Sequence, residues 1–172
     1  MKINLLFWMA MEFLAAGSCH AAVAVRFDHP ENFADFSLSG STAADIQSEL
    51  AKQFEAFFKL LGERYLPKGD ALQIEVLNID MAGAYEPWQT PNLTNTRFMR
   101  DIYPPKISLH YQWRDEAGKL KADRQEIVSD LNYPMWLDAR QYNANDPLRY
   151  EKVMLEHWFR ERFSDAATPM PQ

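Results

Sequence analysis

The residue pattern between Ile46 and Tyr65 restricts this chain more than any other part of it. Ile46, Leu50, Phe54, Phe57, Phe58, Leu61 and Tyr65 recur at steps of three and four, which lines seven apolar side chains along one face of a single helix. A stripe so long and so aromatic has to be covered, and a helix with one apolar face is covered by a second layer of structure. Ser41 or Thr42 is placed to cap the helix, and Asp45 stands in its first turn, where an acid suits the dipole. Pro67 and Gly69 end it.

The covering layer is legible as strands. Val23, Val25 and Phe27 alternate ahead of Asp28-His29-Pro30, a short first strand. Leu72, Ile74 and Val76 share one face of a second, after which the apolar set slips to Leu77, Ile79 and Met81, the mark of a bulge or of burial on both faces. Ile107, Leu109, Tyr111 and Trp113 alternate with Lys106, Ser108, His110 and Gln112. Asp115 to Lys119 turns the chain, and Leu120 to Val128 returns as a more polar hairpin partner, as an edge strand would. Asp146-Pro147 opens a second helix, with a capping aspartate and then a proline at the first helical position. Leu148, Leu155, Phe159 and Phe163 continue one face, widened by Tyr150, Val153, Met154 and Trp158. This order predicts an α+β two-layer sandwich: about four mainly antiparallel strands with two helices packed on one face. Phe54, Phe57 and Phe58 are expected to meet Ile107, Leu109 and Trp113 in its core.

The first two dozen residues read as an address. Lys2, the apolar run Ile3 to Ala16 and the small residues ending in Ala22-Val23-Ala24 have the layout of a secretory signal peptide. Residues 1–24 are therefore expected to be removed, leaving 25–172 as a single globular domain of the periplasm. Glu12 interrupts the run, which falls short of the ~18 uncharged residues of a membrane span. The sole cysteine, Cys19, lies in this segment, so the domain holds together without a disulfide. Cys19 is also an alternative lipid-attachment site, which would make the protein an outer-membrane lipoprotein, although Ala16 stands where such a site usually has leucine. The net charge is −6 and Lys and Arg form no cluster, which argues against nucleic acid and anionic lipid as partners.

No catalytic constellation stands out. Among His20, His29, His110 and His157 none is three or four residues from another, as a helical metal pair would be. There is no Gly-x-Ser-x-Gly elbow and no glycine-rich phosphate loop, so neither a metal nor a cofactor is expected. Asp80, Glu86, Asp101 and Asp130 are the carboxylates from which a hydrolase pair could be drawn, and a small envelope hydrolase is the alternative reading. Two long segments, 82–105 and 129–145, escape the regular pattern, and connections of that length are usually functional. They carry the candidate partner-binding residues Trp88, Arg97, Arg100, Asp101, Tyr103, Asp130, Tyr133 and Trp136, types enriched at recognition surfaces. The competing reading is a structural roof, with Arg100–Asp101 and Asp130–Arg140 pairs tying the segments down. Because both segments flank the hairpin, Pro105 and Ser129 are expected to be neighbours and the segments to form one surface. The partner would be an envelope protein, a peptide or a glycan.

Ile74 to Gly83, Glu86-Pro87-Trp88, Arg100 to Pro105, Ser129 to Tyr133 and Asp146 to Lys152, in that order, resemble an exported bacterial family catalogued as domain of unknown function 3016. The resemblance runs from about Val25 to Phe163. It implies a signal-bearing envelope protein of Gram-negative bacteria, and it brings no activity and no catalytic residue. The favoured expectation is a non-enzymatic binding or accessory module.

Overall fold

A computed structural model describes residues 22–38, 43–88, 91–135 and 137–164. Its elements are β1 (Ala22–Phe27), α1 (Ala44–Tyr65), β2 (Ala71–Asp80), β3 (Ala84–Tyr85), β4 (Arg97–Phe98), β5 (Lys106–Arg114), β6 (Leu120–Ser129) and α2 (Arg149–Phe163). The expected α+β sandwich is the one observed. Its main sheet has the order β1-β2-β5-β6, and only the β1–β2 pair is parallel. That pairing makes β1-α1-β2 a crossover unit, with α1 as the connection a parallel pair requires. Gly62 of α1 is what lets helix and strand approach: a Cβ there would lie 2.1 Å from Val23 Cγ2.

The slip at Leu77 is a β-bulge. Val76 faces Leu109 and Asn78 faces Ser108, so Leu77 is the extra residue. Beyond the bulge Ile79 opposes Ile107 in the core, and Asp80 opposes Lys106. The same stretch recruits the segment after β1. Asn78 Oδ1 accepts the Ala34 N–H at 2.8 Å, Ile79 O accepts the Asp35 N–H at 3.0 Å, and Asp35 O accepts the Met81 N–H at 3.2 Å. Asp35 is thereby set beside Asp80.

Phe54, Phe57 and Phe58 are buried as expected and share the main core with Ile107 and Leu109, and Trp113 packs against the same core at its α2 side. Its ring stands edge-on to Phe163 of α2 at 5.3 Å, and its indole N–H donates to Asp70 at 2.7 Å. The α1 phenylalanines make their ring contacts with Phe36, Tyr142 and Phe159. The start of α2 differs from expectation. Helix begins at Arg149, and Asp146 is not its cap. The Asp146 carboxylate accepts the Leu148 N–H at 2.9 Å, so Asp146 and Pro147 form a turn ahead of the helix. The expected caps of α1, Ser41 and Thr42, lie outside the described residues. Glu156 of α2 ties the two helices and the second long segment together, accepting from Arg64 and Tyr65 of α1 and from Gln141 and Tyr142 of that segment.

Candidate functional site

Residues 82–105, which the sequence leaves irregular, are organised by a short pairing of Ala84 with Phe98 and Tyr85 with Arg97. Gly83 starts it with φ +74°, and a Cβ at that position would meet Phe98 O at 2.6 Å, so only glycine fits. Arg97 then acts as a clamp. Its guanidinium donates to both Asp35 oxygens, at 2.7 and 3.0 Å, and to the carbonyls of Gly83, Ala82 and Ser37 at 3.0, 3.2 and 3.3 Å. It also stacks over Tyr85, and its side chain is only 10% exposed.

A second anchor is the carboxylate of Glu86, which is buried. It accepts Arg100 Nη2 at 2.7 Å and the Tyr103 hydroxyl at 3.0 Å. The Glu86 carboxylate beside the Tyr103 hydroxyl pushes that phenol's pKa up. The two segments are joined at the same place. Tyr133, buried edge-on against Tyr150, donates to Arg100 O at 2.6 Å. Burial pushes the Tyr133 phenol up to about 12. Ser129 Oγ and the Asp130 N–H both donate to Pro105 O, at 3.0 and 3.4 Å, so the expected neighbours do meet.

The candidate residues therefore divide. Arg97, Arg100, Tyr103 and Tyr133 are tied into the protein. Asp130 Oδ1 accepts the Asn132 N–H at 2.9 Å, while its Oδ2 is buried without a partner. Asp101 is exposed, and Trp88 is 69% exposed. Trp136 and Cys19 lie outside the described residues. The ties differ from those expected. Arg100 pairs with Glu86 and not Asp101, and the Asp130 side chain bonds Asn132 and not Arg140. Asp35 is the residue that sequence reasoning missed: its partner Arg97 is 62 positions away, and only the alternation of Asp35, Phe36, Ser37 and Leu38 hints at an extended segment.

The anchored segments carry an unusual surface. Trp88, Leu93, Met99, Ile102, Leu131, Met135 and Leu137 are seven of the ten large apolar side chains exposed among the described residues. The carboxylates, by contrast, do not converge. Asp80 lines a pocket of about 370 Å³ together with Asp35, and neither Asp101 nor Asp130 reaches it. Burial raises the Asp80 pKa, with Lys106 opposing the shift and Asp35 adding to it. His29, His110 and His157 pair with Glu31, Asp123 and Asp138 respectively. Among the described residues no three metal-ligating side chains are grouped, and no helix is long and apolar enough to cross a membrane.

Where α2 meets the first segment, Glu151 is 1% exposed. Its Oε1 accepts the Ala82 N–H at 2.7 Å, and its Oε2 has no partner. Burial pushes its carboxyl above the ordinary 4.5. The folded chain thus holds this proton more tightly than the unfolded one, and stability falls as pH rises from 4.5 through the folded value. Glu151→Gln keeps an acceptor for Ala82 and removes the charge. It is expected to raise the denaturation midpoint at neutral pH, with the gain vanishing as pH drops below 4.5. A gain that did not change with pH would show that folding leaves the Glu151 carboxyl unshifted.

A family model described as Protein of unknown function (DUF3016) matches residues 21–161. Neither a curated protein nor a solved structure matches the chain. With all six strands, both anchored segments and most of α2 inside the matched span, the chain belongs to the family of proteins of unknown function DUF3016.

Proposed function

We propose that this protein is a non-enzymatic recognition module that binds a protein or peptide through the apolar side chains of its two anchored segments. The observation that carries this reading is Trp88. It is 69% exposed two residues after Glu86, a carboxylate fixed in the interior by Arg100 and Tyr103. A large rigid side chain on a pre-ordered loop loses little entropy on binding, and exposed apolar patches on monomers mark interaction sites. Seven exposed apolar side chains on two joined segments fit that description better than a structural roof would. The test is recovery of a partner from envelope extract by the wild-type domain and by Trp88→Ala. The variant should keep the wild-type unfolding midpoint and lose the partner. Equal recovery by both, or a midpoint that falls together with binding, would overturn the reading.

We also propose that the module is exported, on the strength of the basic start, the apolar run and the small residues that follow. Processing after Ala24 would remove Ala22, Val23 and Ala24, which pair with Ala71, Leu72 and Gln73 of β2. Cys19-His20-Ala21 is a second small-x-small site, and cleavage after Ala21 keeps β1 whole. The mass of protein from the periplasm is expected to correspond to a chain beginning at Ala22. A chain beginning at Val25 would restore the later site, a lipid-modified Cys19 would make the protein a lipoprotein, and an unprocessed cytoplasmic chain would end the export reading.

A further inference from the structure

The pocket at the bulged end of β2 holds two opposite charges, Asp80 and Lys106, that feel each other without a hydrogen bond or ion-pair contact. It is an open cleft of about 370 Å³ lined by Asp35, Asp80, Tyr85, Ile102, Pro104 and Lys106, among others. Asp35 is occupied, since Arg97 takes both of its oxygens and Ser37 Oγ donates to one of them at 2.9 Å. Asp80 and Lys106 face each other directly across β2 and β5. Directly opposed side chains on a sheet face stand close enough to interact. Yet among the described residues neither the Asp80 carboxylate nor the Lys106 ammonium has a hydrogen-bond or ion-pair partner. The two opposite charges are set side by side, with Tyr85, Ile102 and Pro104 as the less polar wall.

We propose that this pocket binds a small free α-amino acid, whose ammonium group is held by Asp80 and whose carboxylate is held by Lys106. A zwitterion is the chemistry that satisfies both charges at once, because its own charges are separated by two bonds and can bridge neighbouring side chains. Its side chain would lie against Tyr85, Ile102 and Pro104. Asp80 is partly withdrawn from water, so a cation delivered to it forms a charge-assisted hydrogen bond stronger than one in open solvent. The site is independent of Trp88, and amino-acid binding should survive Trp88→Ala unchanged.

The test is titration of the isotope-labelled domain with glycine, L-alanine and D-alanine, followed through the amide resonances of Asp80, Tyr85, Ile102 and Lys106. Saturable shifts are expected with at least one of the three. N-acetylglycine lacks the ammonium and glycine methyl ester lacks the carboxylate, and each should fail to reproduce them. Asp80→Asn and Lys106→Met should each weaken binding by about tenfold or more, as loss of a charge-assisted bond does, without lowering the unfolding midpoint. Three results would overturn the proposal: no saturable shift with any amino acid, equal binding of either blocked glycine, or full affinity in both variants. The first of these would mean that Asp80 and Lys106 satisfy each other, and the last that the amino acid binds elsewhere.

Discussion

Arg97→Ala is expected to destabilise the domain by about 3–5 kcal/mol, because removing one partner of a buried ion pair strands the other. The Arg97 side chain is 10% exposed and that of Asp35 only 22%, so solvent screens the pair little. The loss extends beyond the Asp35 carboxylate. Three carbonyl groups, of Ser37, Ala82 and Gly83, lose the donor that now satisfies them. Arg97→Lys should recover only part of the loss, since an ammonium cannot reproduce the two-pronged contact with Asp35. Denaturant unfolding of the three proteins measures the effect. A loss within about 0.5 kcal/mol, the usual range for a surface change, would mean that the clamp contributes nothing to the fold.

The second large effect is expected from Phe58→Ala. Phe58 is fully buried and tilts against Phe159 of α2 at 6.1 Å, so its ring occupies the junction of the two helices above the sheet. Truncating a phenylalanine in such a place costs about 3–5 kcal/mol through lost transfer energy and the cavity left behind. A typical domain has only about 5–15 kcal/mol in all, so the variant should be close to unfolding at moderate temperature. Phe58→Leu, which fills most of the volume, should lie between the variant and the wild type. Calorimetry or denaturant titration checks the order. If Phe58→Ala unfolded with the wild-type midpoint, α1 would not present this face to the core.

What the sequence revealed and what it hid follow from the range of the interactions. The stripe on α1, the β5–β6 hairpin and the irregularity at Leu77 are written in neighbouring residues, where periodicity reports directly on which face is buried. The pairing of Arg97 with Asp35 and the parallel pairing of β1 with β2 join residues tens of positions apart, and no local pattern records them. Composition also could not separate side chains of the same type. Trp88 and Tyr133 both read as recognition aromatics, yet one stands in solvent and the other is enclosed against Tyr150. Glu86 read as a possible catalytic acid for the same reason. Its role as an anchor depends on Arg100 and Tyr103 folding back over it. Asp146-Pro147 misplaced the start of α2 by two residues because a carboxylate that bonds the second N–H onward is equally suited to a turn and to a cap.

The separation of anchors from display positions gives the two segments a modular character. Glu86, Arg97 and Tyr133 hold the backbone through interior contacts, whereas Trp88, Met99, Ile102, Leu131, Met135 and Leu137 project outward. Changes at the outward positions leave the interior contacts in place, so their identity is free to vary without loss of the scaffold. A library randomised at those six positions on the unchanged domain is therefore a starting point for selecting binders to chosen targets.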